Sequence, residues 1–265
     1  MYSYHIHSAF SDGKNTPEEI VRAAVDAGFT AIGFSDHGFT EYDLRYCMKD
    51  LTGYIKEIRR LKEEYKGRIQ IYTGIEEDAF SPLHRESFDY VIGSCHYIEK
   101  DGRYYPIDSN HAYFKTCLSL FDNDCLAFAE AYYRRFCDYI CLRKPDIIGH
   151  FDLITKFDEL GESLFLENPR YTEIAEKYIF EAMRSGCIFE VNTGAMARGL
   201  RSTPYPYENL LYILRKNRAA VILSSDSHSA DTLAFQFEET KMHLREIGFD
   251  RITVLDDNGF REIRI

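Results

Sequence analysis

Two histidines two residues apart, His5 and His7, followed by Ser11-Asp12-Gly13, open a chain in which imidazoles and carboxylates keep returning. Residues 2–7 are rich in aromatic and β-compatible types and predict a short strand. Side chains alternate faces along a strand, so residues two apart point the same way, about 6.5 Å apart along the chain. Two imidazoles held like that can grip one metal ion between them. Ser11-Asp12-Gly13 is turn chemistry that returns a carboxylate to the strand's end. Such a cradle requires later strands to end in His, Asp or Glu, and His37, Glu76, His96, His150, Asp226 and His228 each close an apolar run. Neutral imidazole and carboxylate suit Zn, Mn or Fe(II), whereas an all-oxygen cage suits Ca or Mg. Six histidines and three acids are too many for one tetrahedral ion, which takes three or four ligands. Two or three divalent ions sharing bridging ligands fit that number.

The elements that must position these groups can be read from the pattern. Asn15-Thr16-Pro17-Glu18-Glu19 is a helix start: a capping Asn or Thr, a proline in the first turn and acids facing the dipole. The helix runs through Ile20, Ala23, Ala24 and Ala27 and stops at Gly28. Residues 29–35 read as a buried strand ending in Asp36-His37-Gly38, and 50–66 as an amphipathic helix. The next strand, 69–73, ends in Gly74-Ile75-Glu76-Glu77-Asp78, and Tyr90-Val91-Ile92 leads into Gly93-Ser94-Cys95-His96. Residues 97–110 read as a loop over one face, and 111–142 as a long aromatic helix broken near Asp122-Asn123-Asp124. Asp146-Ile147-Ile148 is a short strand ending in Gly149-His150-Phe151-Asp152. A helix over 171–185 precedes a strand over 187–191, and a helix over 207–216 precedes a strand over 219–224 that ends in Ser225-Asp226-Ser227-His228. A helix near 230–247 and a strand near 252–255 close the chain.

Strand and helix alternating with apolar runs imply a parallel sheet. The sites of barrels built this way lie at the C-terminal ends of the strands, whereas an open doubly wound sheet puts its site at one switch point. Polar, ligand-type clusters at seven consecutive strand ends therefore predict an α/β fold of the seven-stranded (β/α)7, TIM-like barrel type. With 265 residues, 45% of them hydrophobic and 28% charged, and no Gly/Pro/Ser linker, one domain over residues 1–265 is expected. A net charge of −11 argues against a nucleic-acid partner. No apolar run approaches the ~20 residues of a membrane span, and the N-terminus does not read as a signal peptide, so no membrane partner and a cytoplasmic location are expected. The seven cysteines are scattered with no CxxC pair, the usage of core thiols in a reduced compartment.

Other residues compete for roles. Glu77 and Asp78 vie with Glu76, and spacing alone does not choose among them. Asp36 and Asp152 flank ligand candidates, where they can orient an imidazole or cap a turn. Arg198, after a Gly/Ala/Met loop, suits a bidentate contact to phosphate or carboxylate, or else a surface ion pair. Lys156 is a weaker candidate for the same task. A lone histidine is more often structural than a ligand; six at strand ends reverse that, and His84, His111 and His243 are left as surface or structural.

The motifs His5-x-His7 with Ser11-Asp12-Gly13, Ser35-Asp36-His37, Gly74-Ile75-Glu76, Gly93-Ser94-Cys95-His96, Gly149-His150-Phe151-Asp152, Asn192-Thr193-Gly194 and Ser225-Asp226-Ser227-His228 closely resemble those of the polymerase and histidinol phosphatase (PHP) superfamily, in that family's order. The resemblance spans residues 5–228. It implies a distorted seven-stranded barrel, up to three metal ions and phosphoester hydrolysis, and it selects Glu76 as the bridging glutamate. It further implies that His5, His7, Glu76 and Asp226 hold one ion, Glu76, His96 and His150 a second, and Asp12, His37 and His228 a third. Length, Asp12 in place of a common histidine, the 97–110 excursion and the Gly-His-Phe-Asp-Leu-Ile segment are most similar to the branch of stand-alone histidinol-phosphate phosphatases. Relatives often carry the arginine nearer the asparagine than Arg198 stands to Asn192.

The chemistry so implied is hydrolysis of a small phosphate monoester by a hydroxide bridging two ions, with Arg198 and the ions offsetting charge on the phosphoryl oxygens. Asp226, His228 or water would supply the leaving-group proton. The alternative is a PHP-type phosphoesterase or nuclease acting on nucleotides or another metabolite, which the low basic content disfavours. A related amidohydrolase barrel would want a metal-bridging lysine after a middle strand, and none sits at such an end.

Overall fold

The first helix, Pro17–Asp26, begins as its residues require. The Thr16 hydroxyl accepts the Glu19 backbone N–H at 3.3 Å, and the Glu19 carboxylate accepts the Thr16 backbone N–H at 2.8 Å, so two otherwise orphaned donors are satisfied reciprocally. Its buried stripe is Pro17, Ile20, Val21 and Ala24. Thr16→Ala should cost about 1 kcal/mol, a fall in Tm of roughly 2–4 °C in a thermal melt; an unchanged Tm would show that this cap does not stabilise the fold.

The structure, a computed structural model, describes residues 1–81, 85–161 and 163–265. Along them run β1 (Tyr2–Ser3), α1 (Pro17–Asp26), β2 (Ala31–Phe34), α2 (Leu51–Glu64), β3 (Gln70–Asp78), β4 (Tyr90–Ser94), β5 (Tyr97–Lys100), β6 (Arg103–Pro106), α3 (His111–Ser119), α4 (Cys125–Arg143), β7 (Ile147–Ile148), α5 (Pro169–Met183), β8 (Ile188–Asn192), α6 (Gly194–Ala197), α7 (Glu208–Lys216), β9 (Val221–Ser224), α8 (Phe237–Ile247), β10 (Arg251–Asp256) and β11 (Gly259–Arg264). Among these helices none is long and apolar enough to cross a membrane.

The fold is α/β with a mostly parallel sheet, and the expected count of seven strands is corrected. Nine strands hydrogen-bond in the order β1-β2-β3-β4-β7-β8-β9-β10-β11, all neighbours parallel except the last pair. This ladder does not close on itself. What joins its first strand to β9 is an isolated parallel bridge between Ile6 and Ser227, with His7 N–H donating to Ser227 O at 2.8 Å. Residues 97–110, expected as a loop, contain the β5-β6 hairpin, because Tyr97, Ile98, Tyr104 and Tyr105 suit cross-strand pairing. The strand β11, also unforeseen, pairs back on β10 through the turn at Asp257-Asn258. The break near residues 122–124 is present and separates α3 from α4.

Strand alternation puts two apolar layers on the sheet. Ile32, Phe34, Ile71, Val91, Ile148, Phe189, Val221 and Leu223 face the helices. Tyr72, Tyr90, Ile92, Ile147, Ile188 and Ile222 make a smaller cluster on the other face. Continuing that second face at period two along each strand leads from Tyr72 to Glu76, from Ile92 to His96, and from Ile188 to Glu190. The apolar floor thus runs into a polar layer at the strands' C-terminal ends.

Candidate metal centre

His5 and His7 flank Ile6, which is buried in the main core, and their rings lie together on the other side with centroids 5.1 Å apart. The loop that follows is held by Asp36. Its carboxylate accepts the backbone N–H and hydroxyl of both Ser8 and Ser11 at 2.6–3.0 Å. Asp36 therefore fixes the turn that carries Asp12. Asp152 likewise turns away from the imidazoles, accepting the Tyr207 N–H at 3.0 Å and facing Arg201 at 3.7 Å.

Glu76 stands at the centre, almost fully buried. Oε1 lies 3.1 Å from His150 Nε2 and 3.3 Å from His96 Nε2, and Oε2 lies 2.8, 3.3 and 3.6 Å from His37 Nδ1, His5 Nε2 and His7 Nε2. It sits within β3 and not past its end, paired in register with Ile92. Period two then separates its acidic neighbours. Glu77 turns to the far side and accepts the Tyr139 hydroxyl at 2.8 Å, while Asp78 returns to the near side and takes the His96 backbone N–H at 2.9 Å and Nδ1 at 3.2 Å.

The last strand-end segment brings Asp226 and His228 to the same place. Asp226 has φ +45°, a left-handed backbone that non-glycine residues seldom adopt. Its Oδ1 lies 3.3 Å from His7 Nε2 and 3.7 Å from His5 Nε2. Asp12 Oδ2 is 3.3 Å from His228 Nε2, and Asp12 Oδ1 is 3.7 Å from His37 Nε2 and 3.8 Å from His7 Nδ1. Four groups of donor atoms lie close enough to share a cation: His5, His7 and Asp226; His5, Glu76 and His150; His37, Glu76 and His96; and His7, Asp12, His37 and His228. All nine strand-end candidates are thus brought together, with His5, His7, His37 and Glu76 each shared by two of the groups. Of the other histidines, His111 packs beside Phe157 and His243 beside Glu246, and His84 lies outside the described residues.

The chemistry of this donor set suits divalent cations. His5 Nε2, both His7 nitrogens and Glu76 Oε2 are buried without a hydrogen bond, although buried polar atoms are nearly always paired. Burial opposes the charge on Glu76 and Asp226, yet the imidazoles of His5, His96 and His37 around the first, and Arg198 and His5 beside the second, hold both carboxyls well below their usual range. Burial, with His228 and His37 adding to it, pushes His7 down to about 3, so that ring stays neutral with a lone pair on one of its nitrogens. His5 and His96 are shifted the other way: burial would lower them, but Glu190 and Glu76 around the first, and Glu76 and Asp78 around the second, raise them well above an ordinary histidine. A proton and a metal ion compete for such nitrogens.

A cavity of about 790 Å³ opens over these groups, and both cationic candidates line it. Arg198 donates to Asp226 Oδ2 at 3.1 Å and its Nη1 lies 3.2 Å from His228 Nδ1; Lys156 Nζ donates to the Asp108 carbonyl at 2.8 Å and carboxylate at 3.0 Å. The glycine of the Asn192-Thr193-Gly194 segment is needed here, because a Cβ at Gly194 would lie 2.8 Å from both Cβ and Oδ2 of Asp226. Gly194→Ala should displace Asp226 and cost about 1–3 kcal/mol, read as a loss of bound metal and activity; full metal content in that variant would mean that Asp226 has room to move.

Two participants escaped the sequence reading. Asp108, in the 97–110 excursion, pairs directly with Lys156 at 3.0 Å on the cavity wall. Glu190, fully buried in β8, accepts from His5 at 2.6 Å, and a lone acid inside the apolar run of residues 187–191, two positions before Asn192, was the available sign of it.

An α/β sheet with imidazoles and carboxylates gathered at its strand ends matches a known family: a sequence model of the PHP domain fits residues 3–194, and the chain belongs to that family. Among its relatives, a probable histidinol-phosphatase of Schizosaccharomyces pombe is 27% identical, the match covering 91% of this chain and 86% of the relative. The histidinol-phosphatase of Bacillus subtilis is 26% identical over 88% of this chain and 96% of its own. The same fold occurs in the histidinol phosphate phosphatase of Lactococcus lactis subsp. lactis, described in complex with Zn, L-histidinol and phosphate (TM-score 0.72, 21% identity, 98% of both chains).

Proposed function

We propose that this chain is a metal-dependent phosphate monoester hydrolase that converts L-histidinol phosphate and water to L-histidinol and phosphate. The observation that carries the reading is the convergence of nine imidazole and carboxylate groups, several with unpaired buried polar atoms; seven of the nine line one cavity flanked by Arg198 and Lys156. The histidinol-phosphatase names of relatives matched over nearly their whole length support the substrate.

In this reading two or three divalent ions, Zn, Mn or Fe, are held by His5, His7, Glu76 and Asp226, by Glu76, His96 and His150, and by Asp12, His37 and His228. Bound there, such ions supply positive charge for the phosphoryl oxygens and make a water acidic enough to act as nucleophile at neutral pH. The chain's own residues do the rest. Arg198 and Lys156 bind phosphate oxygens, Arg198 through a guanidinium already aimed by Asp226. His228, which lines the cavity beside it, or water would supply the proton that the leaving alkoxide takes; Asp226, expected to share this task, has its carboxyl held well below the usual range by Arg198 and His5 and is the poorer donor. Asp43 lies on the cavity wall with Tyr46 and Tyr97 and suits the cationic amino-imidazole end of the substrate. The same proposal includes one domain over residues 1–265, a distorted barrel whose open ladder is spanned by the isolated Ile6–Ser227 bridge, and a cytoplasmic enzyme acting on a small molecule without a nucleic-acid or membrane partner.

The test is phosphate release by protein loaded with Mn or Zn, from L-histidinol phosphate, a dinucleotide and an aryl phosphate in parallel. Preference for histidinol phosphate is expected; no preference would sink the substrate, and preference for the dinucleotide would favour the nuclease alternative. Prolonged chelation should remove activity and readdition should restore it, whereas activity indifferent to chelator would sink the metal mechanism.

A further inference from the structure

Both oxygens of Glu190 are committed to groups that build the metal centre. One lies 2.6 Å from His5 Nδ1; the other accepts the His150 backbone N–H at 2.9 Å and the Asn192 side-chain amide at 2.9 Å. The carboxylate is completely shielded from solvent. An ionised carboxylate only accepts hydrogen bonds, so the proton of a neutral His5 must sit on Nδ1. That leaves the Nε2 lone pair facing Glu76 Oε2 at 3.3 Å and Asp226 Oδ1 at 3.7 Å. The same side chain joins the end of the first strand segment, through His5, to the turn after β7, through His150.

We propose that Glu190 is a positioning residue of the metal centre: it selects the His5 tautomer that offers Nε2 to a cation, and it fixes the spacing between His5 and His150. The proposal rests on the metal reading of the site and not on the identity of the substrate. An amide cannot replace the carboxylate. With its oxygen toward His5, the NH2 of a glutamine would meet two donors, the His150 N–H and the Asn192 amide. Turned round, the NH2 would meet His5 Nδ1, drive the ring proton to Nε2 and cover the lone pair that a cation needs. An aspartate, one methylene shorter, reaches one end of the strut and not both.

The experiment measures Zn affinity by competition with a chromophoric chelator, for the whole chain and its E190Q variant. E190Q is expected to bind its weakest-held Zn about 10–100-fold less tightly, with retained secondary structure by circular dichroism. In parallel, nitrogen-15 spectra of Zn-loaded wild-type protein labelled at histidine should show His5 protonated at Nδ1 by an exchange-protected proton. Zn affinity of E190Q within about threefold of wild type overturns the proposal, and so does a loaded wild-type His5 without that proton. If E190Q does not fold, the wild-type spectrum decides alone. Weakened Zn binding in E190Q from a wild-type chain that ignores histidinol phosphate would uphold Glu190's role while removing the substrate reading.

Discussion

Glu76→Gln is expected to lower kcat/KM for histidinol phosphate by at least ~10³-fold, about 4 kcal/mol of transition-state stabilisation, and to strip metal from the protein. The reason is geometric. One carboxylate faces five imidazole nitrogens at 2.8–3.6 Å, so it belongs to two of the four candidate cation groups and touches an imidazole of each of the other two. Glutamine keeps one acceptor and turns two N–H donors toward nitrogens whose lone pairs a cation would need. It also removes the negative charge that His5, His37 and His96 are arranged around. Glu77→Gln is the matched control, since Glu77 points to Tyr139 and Arg143 on the other side of β3, where an amide oxygen can still accept from the hydroxyl and the guanidinium. Metal content by elemental analysis and kcat/KM should fall together for Glu76→Gln and stay near wild type for Glu77→Gln. A Glu76→Gln enzyme within about tenfold of wild type would leave the carboxylate without its central role.

The candidate ligands were legible because most of them close an apolar run of the sequence, although Glu76 lies inside β3 and Asp12 in a turn, and turn chemistry alone does not put an imidazole or carboxylate after so many runs. The alternation of faces was legible too, but its consequences were not drawn far enough. Glu76, Glu77 and Asp78 could not be ranked until β3 was seen to continue through all three, which makes the choice a matter of register with β4. Glu190 stayed hidden because an acid inside a strand reads as an interruption, when here it is the continuation of the polar face that Asn192 ends. Asp36 and Asp152 could not be separated from imidazole partners by spacing, since their partners, Ser8, Ser11, Tyr207 and Arg201, come from loops brought up by the tertiary fold. The strand count failed for a related reason. The β5-β6 hairpin and β11 are held by local antiparallel pairing of short, partly exposed segments, which carry little of the apolar run that marks a buried strand.

Arg201→Met is expected to be the most destabilising single change outside the metal cluster, by about 3–5 kcal/mol, or a fall in Tm of roughly 6–15 °C. Neither Arg201 nor Asp152 exposes any side chain to solvent, and they face each other at 3.7 Å. Arg201 also donates to the Thr155 hydroxyl and to the carbonyls of Thr203 and Pro204, and its guanidinium stacks 4.3 Å over the Tyr205 ring. It therefore ties the turn after His150 to the segment between Arg198 and Tyr205, whose backbone pairs in turn with Asn192 at the end of β8. Burial already pushes the Asp152 carboxyl up against the opposing pull of Arg201, and one of its oxygens has no hydrogen bond. Removing the guanidinium leaves that carboxylate buried with no charge to balance it, which is where the large cost arises. Adding Asp152→Asn to the variant should recover part of the loss, because the orphaned charge goes with it. Thermal melts of the three proteins at one fixed excess of Zn hold the contribution of metal binding constant. An Arg201→Met protein that melts within about 2 °C of wild type would mean that neither the charge pair nor the Arg201 contacts to Thr155, Thr203 and Pro204 stabilise this corner, whereas a double variant no more stable than Arg201→Met would mean that those contacts, and not the buried charge pair, hold it.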